Sequence, residues 1–217
     1  LSANPHDASS AHDNVALQFS GSAVLDLLAA EAAVAAFSGA PLAGLLVPPF
    51  AADTTPPARL RILSEGAIRT AVLETLNRAQ AGDALDIAMF YLSERRIIEA
   101  IKRANARGVR LRLLLDPNED AFGRKKNGVP NRPVAAELYR AGVDVRWCDT
   151  HGEQCHAKFL LHRTPDGASL ILGSGNWTRR NLGDLNLEMD VQLVAPAAHP
   201  AVQDAAAWFG ETWRNES

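Results

Sequence analysis

Residues 156–158 read His156-Ala157-Lys158, and Gly173-Ser174-Gly175-Asn176 follows after a short interval containing Thr164-Pro165-Asp166-Gly167. Side chains two apart on a strand point to the same face, so an imidazole and an ammonium at this spacing converge on one anion. The Thr-Pro-Asp-Gly stretch reads as a hairpin with a type I-like turn. The returning strand then carries Ser174 and Asn176, also two apart, alongside the histidine and lysine. Such a set suits a phosphodiester, whose non-bridging oxygens gain charge during displacement and are stabilised by fixed donors aimed at them. Imidazole can attack phosphorus, leave again and exchange a proton near neutral pH. The chemistry calls for no metal and no cofactor.

The pattern resembles the HKD signature of the phospholipase D superfamily, HxKx4Dx6GSxN. His156, Lys158, Gly173, Ser174 and Asn176 match it, and Asp166 keeps the expected spacing to Gly173. The departure is a longer interval from Lys158 to Asp166, with Arg163 standing at the usual aspartate position. A lengthened hairpin accounts for this. The resemblance implies a layered α/β/α fold with a central mixed sheet flanked by helices. It also implies a phosphohistidine mechanism in which Lys158 and Asn176 hold the non-bridging oxygens, Ser174 adds a donor and Asp166 is structural. Which of the two histidine roles His156 takes stays open.

Members of that superfamily carry two HKD sets, from two similar halves or from two copies of one half. A trace of a second set lies at the N-terminus, where Ser2-Ala3-Asn4 precedes Asn14-Val15-Ala16-Leu17 as Ser174-Gly175-Asn176 precedes Asn186-Leu187-Glu188-Met189. Ala23-Val24-x-Asp26 likewise parallels Ala201-Val202-x-Asp204. On this reading residues 1–58 are the tail of an N-terminal HKD half plus a Pro/Ala-rich linker, and residues 59–217 are the C-terminal HKD domain. The expected partners are the missing half or a second copy of the chain, and Ser2 and Asn4 join the substrate-binding candidates.

Glu188 is the expected partner for the second ring nitrogen of His156, as carboxylates serve catalytic imidazoles. Its counterpart in the N-terminal repeat is Ala16. Tyr91 and Asp116 close two expected central strands, where α/β sites gather. Arg179 follows the Asn176-Trp177-Thr178 segment and is a further candidate for substrate contact. The Arg124-Lys125-Lys126 loop reads as solvated charge or an anion contact.

From Arg59 onward strand-like and helix-like segments alternate, which favours a layered α/β domain. Expected strands are Arg59–Leu63, Leu85–Leu92, Val109–Leu115, Val143–Trp147, His156–His162, Ser169–Leu172 and Leu187–Val194. Ser64 and Ser93 are the expected caps of two helices, Pro133 marks the start of a third, and Pro200–Trp213 forms the last. The N-terminal region is expected to hold a short strand from Val15 to Phe19 and an Ala-rich helix.

The 217 residues, 47% hydrophobic with a formal net charge of −3, support a sizeable core but no general basic field for nucleic acid. Phospholipid is therefore the leading substrate class, for hydrolysis or phosphatidyl transfer, with nucleic acid cleaved by a nuclease of the same superfamily as the alternative. The apolar stretch between Glu31 and Asp53 is interrupted by Gly39, Pro41, Pro48 and Pro49, so it reads as a linker and not a transmembrane segment. The expected location is the bacterial cytoplasm or a peripheral membrane surface. Cys148 and Cys155 lack a metal-ligand spacing and read as ordinary thiols.

Overall fold

The computed structural model describes residues 1–5, 7–40, 58–121 and 124–215. Along the chain the elements are α1 (Ala23–Phe37), β1 (Arg59–Ser64), α2 (Gly66–Arg78), β2 (Ala84–Met89), α3 (Arg95–Ala106) and β3 (Arg110–Leu115). A small pair follows, β4 (Asp120–Ala121) and β5 (Arg124–Lys125), then α4 (Asn131–Arg140) and β6 (Asp144–Trp147). The remainder is β7 (Lys158–Arg163), β8 (Ala168–Gly173), α5 (Arg179–Leu182), β9 (Met189–Ala195) and α6 (Pro200–Arg214).

Seven strands form one mixed sheet in the order β1-β9-β8-β7-β2-β3-β6. β2, β3 and β6 run parallel, joined through α3 and α4, because parallel neighbours need a crossover and a helix is the usual one. The other pairings are antiparallel. Side-chain alternation divides the core into two layers. Leu85, Ile87, Met89, Leu113, Leu160 and Ile171 pack on one face with residues of α2, α3 and α4. Ala88, Leu114, Phe159, Leu161, Leu170 and Leu172 pack on the other with Val202, Phe209 and Trp213 of α6. Every residue of β2 is buried, as a strand covered on both faces should be. This is the layered α/β architecture expected from the sequence.

Local differences have physical causes. Ser64 ends β1 opposite Met189, so the cap of α2 falls to Glu65 at φ 44°. Ser93 is not a cap either: its N–H and that of Glu94 both donate to the Trp177 carbonyl at 2.8 Å, and Glu94 caps α3. Asn131 rather than Pro133 opens α4. The stretch from Val15 to Phe19 carries no strand assignment and pairs with none of the named strands; Val15 and Leu17 instead cover the second core layer. The expected linker lies mostly at residues 41–57, outside the described residues.

The cysteine reading needs correction. Cys148, after β6, and Cys155, before β7, form a disulfide with their Cα atoms 6.2 Å apart. Sequence spacing carried no sign of it, because adjacency arises only when β6 and β7 deliver both residues to the same end of the sheet.

Candidate active site

Strand register brings the motif to one end of the sheet. Lys158 pairs with Met89, Phe159 with Leu172 and Gly173 with Asp190. The residues just beyond these strand ends, Phe90, Tyr91, His156, Ser174, Asn176 and Glu188, therefore share one rim. Gly173 is needed where β8 leaves the sheet, since a Cβ there would collide with the Met189 carbonyl oxygen and with Asp190.

His156 and Lys158 are buried and in direct contact. The Lys158 ammonium lies 2.9 Å from His156 Nε2 and donates to the His156 carbonyl at 2.8 Å. His156 Nδ1 lies 3.2 Å from Asn14 Oδ1. Asn14 Nδ2 donates to the carbonyls of Ser9 and His12 at 2.8 and 3.0 Å, which fixes Oδ1 as the atom facing the ring. An oxygen acceptor there requires Nδ1 to carry the proton, so the Nε2 lone pair points to Lys158. The Phe90 ring, 4.7 Å from the imidazole and 5.1 Å from the ammonium, closes one wall.

Burial pushes the Lys158 pKa down to about 7, opposed by the negative charges of Glu188, Asp190 and Asp116. Burial likewise pushes Asp190 up to about 7, opposed by the Gly175 N–H that its carboxylate accepts at 2.9 Å. Asp190 was not singled out from the sequence, although it follows Glu188 by two. Asn176 Oδ1 is buried without a hydrogen-bond partner. The donor of this carboxamide is Nδ2, which is the group able to meet an anionic oxygen.

Glu188 does not meet His156. Its carboxylate accepts from Ser174 Oγ at 2.6 Å and from the side-chain amides of Asn181 and Asn186. The partner role expected of it belongs to Asn14, 142 residues from His156 in sequence. The two serines nonetheless repeat one arrangement. The Ser174 N–H donates to the Met189 carbonyl and its Oγ accepts from the Met189 N–H. Ser2 does the same with Val15, and its Oγ donates to Asn14 Oδ1 at 3.1 Å. Asn14, not Ala16, is thus the geometric counterpart of Glu188.

Other candidates are dispersed. Asp166 sits exposed in the β7–β8 turn, beyond the opposite end of β7 from Lys158 and roughly 17 Å away at strand rise. Arg163, at the motif's usual aspartate position, pairs with buried Asp86 of β2 at 2.6 Å, and Arg112 holds the other carboxylate oxygen at 2.8 Å. The Tyr91 hydroxyl accepts from Lys126 at 2.8 Å on the rim. Asp116 is buried beneath the rim and occupied by N–H donors, including that of Cys155. Asn4 is exposed, with its N–H bound to Ser9 Oγ, and Arg179 is exposed at the start of α5. Among the described residues no group of three or more His, Cys, Asp or Glu is placed to hold a metal. No helix among them is long and apolar enough to cross a membrane.

Residues 72–213 match the family model described as cardiolipin synthase, PLD-like domain. Comparison with curated proteins finds no sequence match. Among solved structures, the chain is similar to Nuc, a phospholipase D family member from Salmonella typhimurium, at 16% identity and a TM-score of 0.57, over 73% of this chain and 95% of that one. NucT from Helicobacter pylori is similar at 14% identity and TM-score 0.55, over 73% and 97%. Phosphatidylserine synthase from Haemophilus influenzae Rd KW20 is similar at 13% and 0.54, over 74% of this chain and 39% of that one. At these identities the likeness is one of fold.

Proposed function

Because the chain belongs to the cardiolipin synthase, PLD-like domain family, we propose that it supplies one half of a two-histidine site that cleaves or transfers a phosphodiester of a phospholipid. The observation that carries this reading is the buried His156–Lys158 pair, with Nδ1 facing Asn14 Oδ1 and Nε2 facing the Lys158 ammonium.

In this reading one imidazole Nε2 attacks phosphorus while the P–O bond to the leaving alcohol breaks, and the second imidazole gives that oxygen its proton. Water or an acceptor alcohol then loses a proton to the second imidazole and attacks phosphorus, and the P–N bond breaks to restore the first. Lys158 and Asn176 hold the non-bridging oxygens, which is where fixed donors act most strongly. The second histidine comes from an upstream half or a second copy. The repeated serine arrangement supports Glu188 as the acceptor for that ring, as Asn14 is for His156. A neutral carboxamide behind one imidazole and a carboxylate behind the other supply the asymmetry that distinct nucleophile and acid roles demand.

The phospholipid reading is supported by the match to the cardiolipin synthase, PLD-like domain family and by Leu185 and Leu187, which precede Glu188 in sequence and are 66% and 61% exposed. Nucleic-acid cleavage is the second reading, favoured by the fold shared with Nuc. The test takes this chain as two copies and paired with a second HKD half, and measures product release from mixed phospholipid vesicles and from single-stranded DNA. Turnover of the vesicles, abolished by His156→Asn, is expected. Turnover of DNA alone would select the nuclease, and full activity in His156→Asn would remove the assignment.

A further inference from the structure

We infer that Asp116 is a positioning residue that holds His156 in register with the wall facing it. The inference rests on His156 being the reacting histidine, but its geometry is independent of the substrate. Asp116 follows β3 and is 2% exposed. Its Oδ1 accepts the backbone N–H of Asn118 at 2.7 Å and the Asn118 side-chain amide at 2.9 Å. Its Oδ2 accepts the N–H of Cys155, the residue before His156, at 2.8 Å. Asn118 has φ 51°, the left-handed conformation that Asn tolerates.

A second asparagine extends the connection. Asn131 Nδ2 donates to the carbonyls of Asp116 and Phe90 at 2.9 and 2.8 Å, and its Oδ1 accepts the Leu92 N–H at 2.9 Å. Asn118 Nδ2 also donates to the Phe90 carbonyl. The Phe90 N–H, in turn, donates to the Ala157 carbonyl at 2.9 Å. One carboxylate therefore ties the backbone ahead of His156 to the exits of β2 and β3, and through Phe90 to the aromatic face against the imidazole.

The residue type matters. Three N–H donors converge on the Asp116 side chain, and a carboxylate accepts all three, whereas an amide offers one oxygen and opposes the remaining donors with its own N–H groups. Burial holds this carboxyl above its ordinary pKa, with the Asn118 and Cys155 donors pulling it back.

The experiment compares Asp116→Ala and Asp116→Asn with the unchanged chain, reading the imidazole 15N shifts of His156, and reads kcat and KM in whichever assembly turns over, two copies of the chain or the chain with a second HKD half. The unchanged chain should give one tautomer with the proton on Nδ1. Both variants should give averaged shifts, and kcat should fall about 100-fold, the scale of a displacement near 1 Å, with KM held within about twofold. Should the alanine variant fail to fold, Asp116→Asn, which keeps the volume and one oxygen, decides. A folded Asp116→Asn with unaltered shifts and kcat overturns the inference. The shifts report on positioning even if His156→Asn leaves turnover intact, which would instead remove the functional reading.

Discussion

Raising the pH through 7 should weaken phosphodiester binding at this site, because two buried groups change charge there in the same sense. Lys158 titrates at about 7 and loses its positive charge. Asp190, also at about 7, gains a negative one. A dialkyl phosphate stays a monoanion throughout, so its affinity reports on the protein. If only the ammonium form of Lys158 binds, one pH unit above its pKa leaves about a tenth of it competent, and affinity falls about tenfold, or roughly 1.4 kcal/mol. Ionised Asp190 deepens the slope. Titrations with dimethyl phosphate from about pH 6 to about pH 8.5 at constant ionic strength measure this. Lys158→Met should bind weakly with the Lys158 part of the slope removed. Affinity constant to within about twofold over that window, or an unaltered slope in Lys158→Met, would refute the reasoning.

Further outcomes follow from other contacts. Asp190 has a raised folded pKa, so its contribution to stability is present near pH 4 and is lost as pH rises towards about 7; the melting temperature of Asp190→Asn relative to the unchanged chain should therefore climb across that window, and a flat difference contradicts this. Lys158, with a depressed pKa, contributes the opposite trend, with stability recovered between about 7 and the unfolded value near 10.5, seen as a rise missing from Lys158→Met. Asp86→Ala strands Arg112 and Arg163 and should cost about 3 kcal/mol in urea denaturation, at the low end for broken buried pairs because both guanidiniums reach solvent; a loss under about 1 kcal/mol would contradict it. Reducing the Cys148–Cys155 disulfide, whose cysteines are seven apart, should cost about 2 kcal/mol on the loop-entropy account, and an unchanged denaturation midpoint would contradict that.

The parts legible in sequence were those fixed by short-range periodicity. His156 and Lys158 share a face because strands alternate. Ser174 and Asn176 follow β8 to the same end of the sheet because a hairpin turn lies between, and β2 announced itself as an apolar run that Asp86 alone interrupts. What stayed hidden depends on distant pairings. Asn14 reaches His156 across 142 residues, and the serine repeat suggested Ala16 because an insertion shifts the register between copies. Asp86 serves Arg163 from the next strand, which no spacing rule reveals. Asp116 was visible as a strand-end carboxylate, but its burial under three N–H donors, which turns it from the substrate side to the backbone, depends on where Asn118 and Cys155 lie.

The central claim is that His156 takes part in phosphodiester exchange as half of a two-histidine site. Its most direct measurement is turnover of a phosphodiester by this chain, as two copies or paired with a second HKD half, with and without His156→Asn. Turnover should fall to background in His156→Asn while the fold, followed by circular dichroism, is retained. Undiminished turnover by the folded variant would contradict it.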